Sequence, residues 1–237
     1  MIIRFRNAFE RHLVGLLQPL IDWMVRERVH PNALTTIGFV VTLSSAFAFH
    51  SHHVRTAGVL ILLGGVFDVF DGRVARATGL ASEFGSFYDS TLDRISEIAV
   101  YLGILSLYND YRLVLGDVGM IYAVMLAMAG SLMISYTRAR AEGLGIDCKV
   151  GLMQRGERVF SIGMASLLFG ESAGGLALKV VIIALAILTN LTAIHRIIWV
   201  YQHTRELREA TDVPAFGDGG EPAPRSEVGV GTREEHM

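Results

Sequence analysis

Two apolar stretches of this chain run into carboxylates. Asp68 and Asp71 end the stretch from Gly58 to Phe70, and Asp89 and Asp93 open another that runs through Ile95 to Leu107. An ionised carboxylate at the end of a hydrophobic span is expensive unless a cation or a partner compensates it. Four converge here without an equal number of bases beside them. Divalent metal is the obvious compensation, and metal beside a membrane points to phosphate chemistry on a lipid.

The spacing sharpens this reading. Asp68 and Asp71 are three residues apart and Asp89 and Asp93 four apart, so each pair shares one helix face. Two such helices packed side by side would bring four carboxylates into one small volume. Hard oxygen ligands of this kind suit magnesium, manganese or calcium rather than zinc. Room for two ions roughly 3.5–4 Å apart would give a two-metal site for phosphoryl transfer.

Composition sets the architecture. The chain has 237 residues, 51% of them hydrophobic, and a mean hydropathy of +0.43. That is too apolar for an ordinary soluble domain and fits an all-α polytopic membrane protein. About six transmembrane helices are expected, near Ala33–His50, Thr56–Phe70, Phe84–Leu107, Val118–Tyr136, Val159–Gly170 and Leu176–Tyr201. The fifth is short and is expected to extend back through Gln154–Arg158. Residues Ile2 to Arg28 read as an N-terminal interfacial amphipathic helix, with arginines interleaved among Ile3, Phe5, Leu13, Leu17, Leu20 and Trp23. Three segments follow: an interfacial helix over 1–30, a six-helix membrane domain over 31–204 and a polar, disordered tail over 205–237.

Lys and Arg set the orientation. Arg73, Arg76, Arg138, Arg140, Lys149, Arg155 and Arg158 lie on the side of both termini, against Arg55, Arg112 and Lys179 opposite. The positive-inside rule places both termini and the aspartates in the cytoplasm of a cell (inner) membrane protein. Cys148 is the single cysteine, so no intrachain disulfide forms. His50, His52 and His53 read as an interfacial loop and His195 as a packing residue. No nucleic-acid partner is expected.

The residues around the acids complete a pattern. Gly72 follows Asp71, Ala75 and Arg76 come next, and Gly85 lies four before Asp89. Gly and Ala let a ligand approach the backbone, and Arg forks onto phosphate oxygens. The run Asp68-x2-Asp71-Gly72-x2-Ala75-Arg76-x8-Gly85-x3-Asp89-x3-Asp93 resembles the signature of the CDP-alcohol phosphotransferase family. The resemblance implies that a CDP-linked lipid such as CDP-diacylglycerol passes its phosphatidyl group to an alcohol, with CMP leaving. It implies that Asp68, Asp71, Asp89 and Asp93 hold Mg²⁺ or Mn²⁺, two ions, and that Asp93 is also the general base. Asp68, Gly72, Ala75, Arg76 and Gly85 would contact the CDP-lipid. So would Asn32, which by the residues alone reads as a helix cap after Pro31. A homodimer is implied as well.

A second basic cluster bears on the acceptor. Arg138 and Arg140 end the fourth span, and Arg155 and Arg158 begin the fifth. Topology anchoring accounts for some of this charge. A pocket for a phosphorylated polyol accounts for the rest, because Arg favours bidentate phosphate binding. The segments Tyr136-x-Arg138-Ala139-Arg140-Ala141-Glu142 and Arg155-Gly156-Glu157-Arg158 resemble those of prokaryotic phosphatidylinositol-phosphate synthases, which implies inositol phosphate as acceptor, with glycerol 3-phosphate second. Intramembrane carboxylates also occur in divalent cation transporters, but acids at span ends on one side fit a nucleotide better than an ion path.

Overall fold

The structure is a computed structural model that describes residues 15, 17–109, 117–148, 150–151 and 153–211, with backbone alone for 173 and 206–211. Seven helices lie among the described residues: α1 (17–26), α2 (Pro31–His50), α3 (Val54–Thr78), α4 (Glu83–Asn109), α5 (Val118–Glu142), α6 (Arg155–Phe169) and α7 (Ser172–Thr211). There is no strand among these residues. The all-α expectation holds.

Local chemistry sets the boundaries. Pro31 occupies the first turn of α2, where its missing N–H is not needed. The cap is His30, whose Nδ1 accepts from the Asn32 amide at 3.3 Å. Asn32 therefore lies inside the helix instead of capping it, because the turn after α1 presents the imidazole first. Gly79 ends α3 in the left-handed conformation, φ 69°. Ser82 then accepts from the Gly85 amide at 3.0 Å and starts α4. Asp117 caps α5, and a reciprocal Gln154–Glu157 capping box starts α6.

Helix α2 packs against both α3 and α4, α3 packs on α6, and α5 packs on α7 and α4. Close approach depends on small residues, as in membrane bundles. A Cβ on Gly64 would fall 1.9 Å from Thr42 Oγ1 on α2, and one on Gly58 would fall 2.5 Å from the Leu167 amide on α6. Both glycines belong to α3, so the helix that carries Asp68 and Asp71 is gripped from two sides. The main core joins Phe49, Ile61, Tyr101, Ile104, Val124 and Leu185.

Among the described residues three helices are long and apolar enough to cross a membrane: Pro31–His50, Val118–Glu142 and Gly174–Arg205. Large apolar side chains such as Phe47, Leu102, Tyr122, Ile187 and Ile197 are exposed around the bundle. A water-soluble surface does not carry so many, and lipid is the solvent that suits them. Half of the expected interfacial helix, residues 1–14 and 16, lies outside the described residues. The described part of α1 buries Ile21 and Met24 with Leu34, Phe70 and Val74, and exposes Leu20 and Trp23. At the other end α7 continues to Thr211, past the expected boundary at 204; residues 212–237 lie outside the described residues. His195 is exposed, and its neighbour Arg196 is the buried one.

Candidate metal and phosphate site

Helix α2 assembles the site, because α3 and α4 both pack against it rather than extensively on each other. Thr35 on α2 donates to Asp71 Oδ2 of α3 at 2.7 Å, and Thr36 bonds Tyr88 of α4 at 3.0 Å. The side-by-side α3–α4 pair expected from the spacing is thus replaced by two helices held through a third.

Asp68, Asp89 and Asp93 each turn one carboxylate oxygen into a cluster whose members lie within 4.8 Å of one another. The donors are all carboxylate oxygens and half-buried, a set that suits a hard divalent cation. Asp71 stands beside this cluster instead of within it. It is 6% exposed and held by Thr35. Its place is in the wall of a neighbouring cavity of about 200 Å³, which it shares with Asp89. That cavity is also lined by Asn32, Gly72, Ala75, Arg76 and Gly85. Of the six residues expected to contact the CDP-lipid, these five, from α2, α3 and the start of α4, line the cavity, and Asp68 lies in the carboxylate cluster instead. A Cβ at Gly85 would come within 3.1 Å of Ser82 Oγ and 3.4 Å of Asn32 Oδ1, so glycine keeps the cavity open there.

Arg155, the first residue of α6, reaches the cluster. Its Nη1 donates to Asp68 Oδ2, and its Nη2 meets Asp93 Oδ1 at 2.7 Å. Arg155 Nε and Arg94 Nη1 are buried with no hydrogen-bond partner among the described residues. The acid therefore exceeds its partners, while nearby cations keep donors in reserve for an anionic ligand.

The other basic residues divide. Arg158, 1% exposed, donates from Nε and Nη2 to the two oxygens of Glu97 at 2.7 and 3.0 Å, and from Nη1 to the Met153 carbonyl at 3.2 Å. It is committed to the interior and does not open onto the cavity. Arg138 pairs with Glu142 one turn along α5 at 2.8 Å, and both are exposed. Arg140 is exposed at the same helix end. Thr35 and Glu97 escaped the sequence reading. Glu97 had a signal, since it continues the four-residue spacing of Asp89 and Asp93; Thr35 had none, because its partner lies on another helix. Arg196, inside the most apolar helix, also carried a signal. It donates to the Val150 carbonyl at 2.7 Å and to that of Ile134.

Residues 28–200 match the family model for CDP-alcohol phosphatidyltransferase. The chain belongs to this family. It is 37% identical over 170 residues to an archaetidylinositol phosphate synthase of Pyrococcus horikoshii, spanning 71% of this chain and 82% of that one. It is 30% identical to a phosphatidylinositol phosphate synthase of Streptomyces avermitilis, over 89% of this chain and 87% of that one. Among solved structures, the phosphatidylinositol phosphate synthase of Mycobacterium tuberculosis with CDP-DAG bound superimposes with a TM-score of 0.70 at 26% identity, covering 77% of this chain and 92% of that one. A second structure of that protein, in complex with manganese and citrate, gives 0.69. Members of this family are membrane enzymes, so the transporter alternative is set aside.

Proposed function

We propose that this chain transfers the phosphatidyl group of CDP-diacylglycerol to inositol phosphate and releases CMP. One observation carries the reading. A cavity lined by Asn32 and the signature's Gly72, Ala75, Arg76 and Gly85 opens directly beside three converging carboxylates, and Arg155 of α6 reaches that same cluster. The names of the relatives support the donor and the acceptor.

Asp68, Asp71, Asp89 and Asp93 would hold Mg²⁺ or Mn²⁺, two ions, which neutralise the phosphates when bound. Asn32, Asp68, Gly72, Ala75, Arg76 and Gly85 seat the CDP moiety. Arg155 holds the acceptor's phosphate, with Arg138 and Arg140 at the end of α5 supplying further positive charge. The acceptor hydroxyl oxygen forms a bond to the phosphatidyl phosphorus, the pyrophosphate P–O bond breaks, and the hydroxyl proton passes to Asp93. One oxygen of Asp93 faces Arg155, which fixes the carboxylate's orientation. Asp93 thus acts by position.

The same reading completes the topology. Helices α3, α4 and α6 join the three apolar helices as spans, giving six, with the site and both termini on the cytoplasmic side and residues 1–30 along the interface. The basic residues at the site end of the bundle support that orientation. A homodimer in the cell membrane belongs to this reading too. The deciding experiment measures CMP release by the purified protein from CDP-diacylglycerol with inositol phosphate, glycerol 3-phosphate, inositol and serine. Inositol phosphate is expected first and glycerol 3-phosphate second; preference for free inositol or serine would end the phosphorylated-acceptor reading.

A further inference from the structure

We propose that Glu97 is a positioning residue of the acceptor site, acting through Arg158 on Arg155. The inference rests on the reading that Arg155 holds the acceptor phosphate. Helix α4 presents Asp89, Asp93 and Glu97 at four-residue intervals, one face of three acids. The family signature ends at Asp93. Helix α6 answers with Arg155 and Arg158, three residues apart. The two rows pair in register: Asp93 Oδ1 with Arg155 Nη2 at 2.7 Å, and Glu97 with Arg158 through two bonds at 2.7 and 3.0 Å.

The two rungs differ in kind. The Glu97–Arg158 rung is sealed, at 4% and 1% exposure. A planar fork meeting a carboxylate at two points fixes rotation as well as distance. The third bond, from Arg158 to the Met153 carbonyl, ties the same guanidinium to the segment that leads into α6. The capping box closes the rest of this turn, with the Gln154 amide donating to Glu157 at 2.9 Å. Arg155 is the residue of this turn that reaches the carboxylate cluster, and its Nε has no partner among the described residues. It sits at the first position of a helix, where backbone order is weakest. The buried rung one turn deeper therefore sets the height and angle at which Arg155 enters the site. A buried ion pair is a poor source of stability compared with an apolar pair of equal volume. A role in alignment accounts for this one.

The test uses the full chain in detergent–lipid micelles with inositol phosphate as acceptor. The double variant Glu97→Met/Arg158→Met removes both charges and leaves none buried alone, so it retains the fold. Its acceptor KM is expected to rise about tenfold, the cost of a small misplacement, while the CDP-lipid KM stays at the wild-type value. Arg158→Lys keeps the charge but not the fork, and its acceptor KM is expected between the two. A folded double variant with a wild-type acceptor KM overturns the proposal, as does a parallel rise in both KM values with a lowered melting temperature. Full rescue by lysine also overturns it, since charge alone would then suffice. Arg155→Ala separates the two levels of inference. If it leaves the acceptor KM unchanged, the reading of Arg155 has failed, and the alignment role falls with it.

Discussion

The two ends of this helical bundle handle polar groups differently. At the end away from the site, Asp117 meets Lys179 at 3.0 Å, Lys179 lies over the Tyr108 ring, and His50 bonds Ser106 at 2.7 Å. Acid finds base there, and the buried Tyr108 hydroxyl is the neutral group left without a partner among the described residues. At the other end four carboxylates share Thr35 and Arg155, while Arg94 and Arg155 each keep a buried donor without a partner among the described residues. A fold requires the first kind of arrangement. The second destabilises an empty protein and makes sense when ligands of both signs complete it: cations for the acids and phosphates for the arginines.

The sharpest way to break this contrast is to remove one carboxylate from the surplus end. Asp89→Asn or Asp71→Asn is expected to abolish CMP release, a loss of at least about 10³-fold, while the protein still inserts and folds. Near-normal turnover by either variant would show that the acids are not the metal site. Next in size is a division within the cluster. Asp93→Asn is expected to lose turnover yet keep CDP affinity better than Asp68→Asn does, as measured by CDP binding. Equal loss of binding would make Asp93 just another ligand. A smaller effect is expected on the basic side. Arg155→Ala is expected to raise the acceptor KM by roughly 1.5–3 kcal/mol worth of binding, with the CDP-lipid KM nearly unchanged.

The paired end supplies the smallest effect. Bonds from Lys179 and from the Met120 amide hold the Asp117 carboxyl below its ordinary 3.8. A depressed carboxyl adds stability above that ordinary value and loses it as pH falls below. Melting in detergent is therefore expected to distinguish Asp117→Asn from wild type slightly at neutral pH, and the gap to close under acid, with CMP release unaffected. A large loss of activity in this variant would erase the distinction between the two ends.

Much of the site could be read along the chain because each part lies within one helix. The gaps of three and four put Asp68 with Asp71 and Asp89 with Asp93 on shared faces. Gly72, Ala75, Arg76 and Gly85 then fell into one cavity with Asn32. What spacing cannot supply is the register between helices. Arg155 and Arg158 share a face of α6, yet their separation of about 4.5 Å along the axis sends one to the cluster and seals the other against Glu97. Asp71 is set apart from the other acids for the same reason, since Thr35 on α2 draws it aside. The cap at the start of α2 depended on a competition between His30 and Asn32 that turn geometry decides. Six apolar stretches were found as helices, while the extent of α7 was underestimated because its last turns are polar.

The rim of the cavity has a kinetic consequence. Leu80 lines it, and Phe84 and Phe87 stand exposed on the turn of α4 that also carries Gly85. Under the proposed function, apolar side chains beside the opening would let the CDP-lipid enter sideways from the bilayer while the acceptor arrives from water. Turnover at fixed bulk CDP-lipid then depends on how crowded that lipid is within the surface. Adding inert detergent or phospholipid is expected to slow the reaction by surface dilution, with no change in the total amount of either substrate.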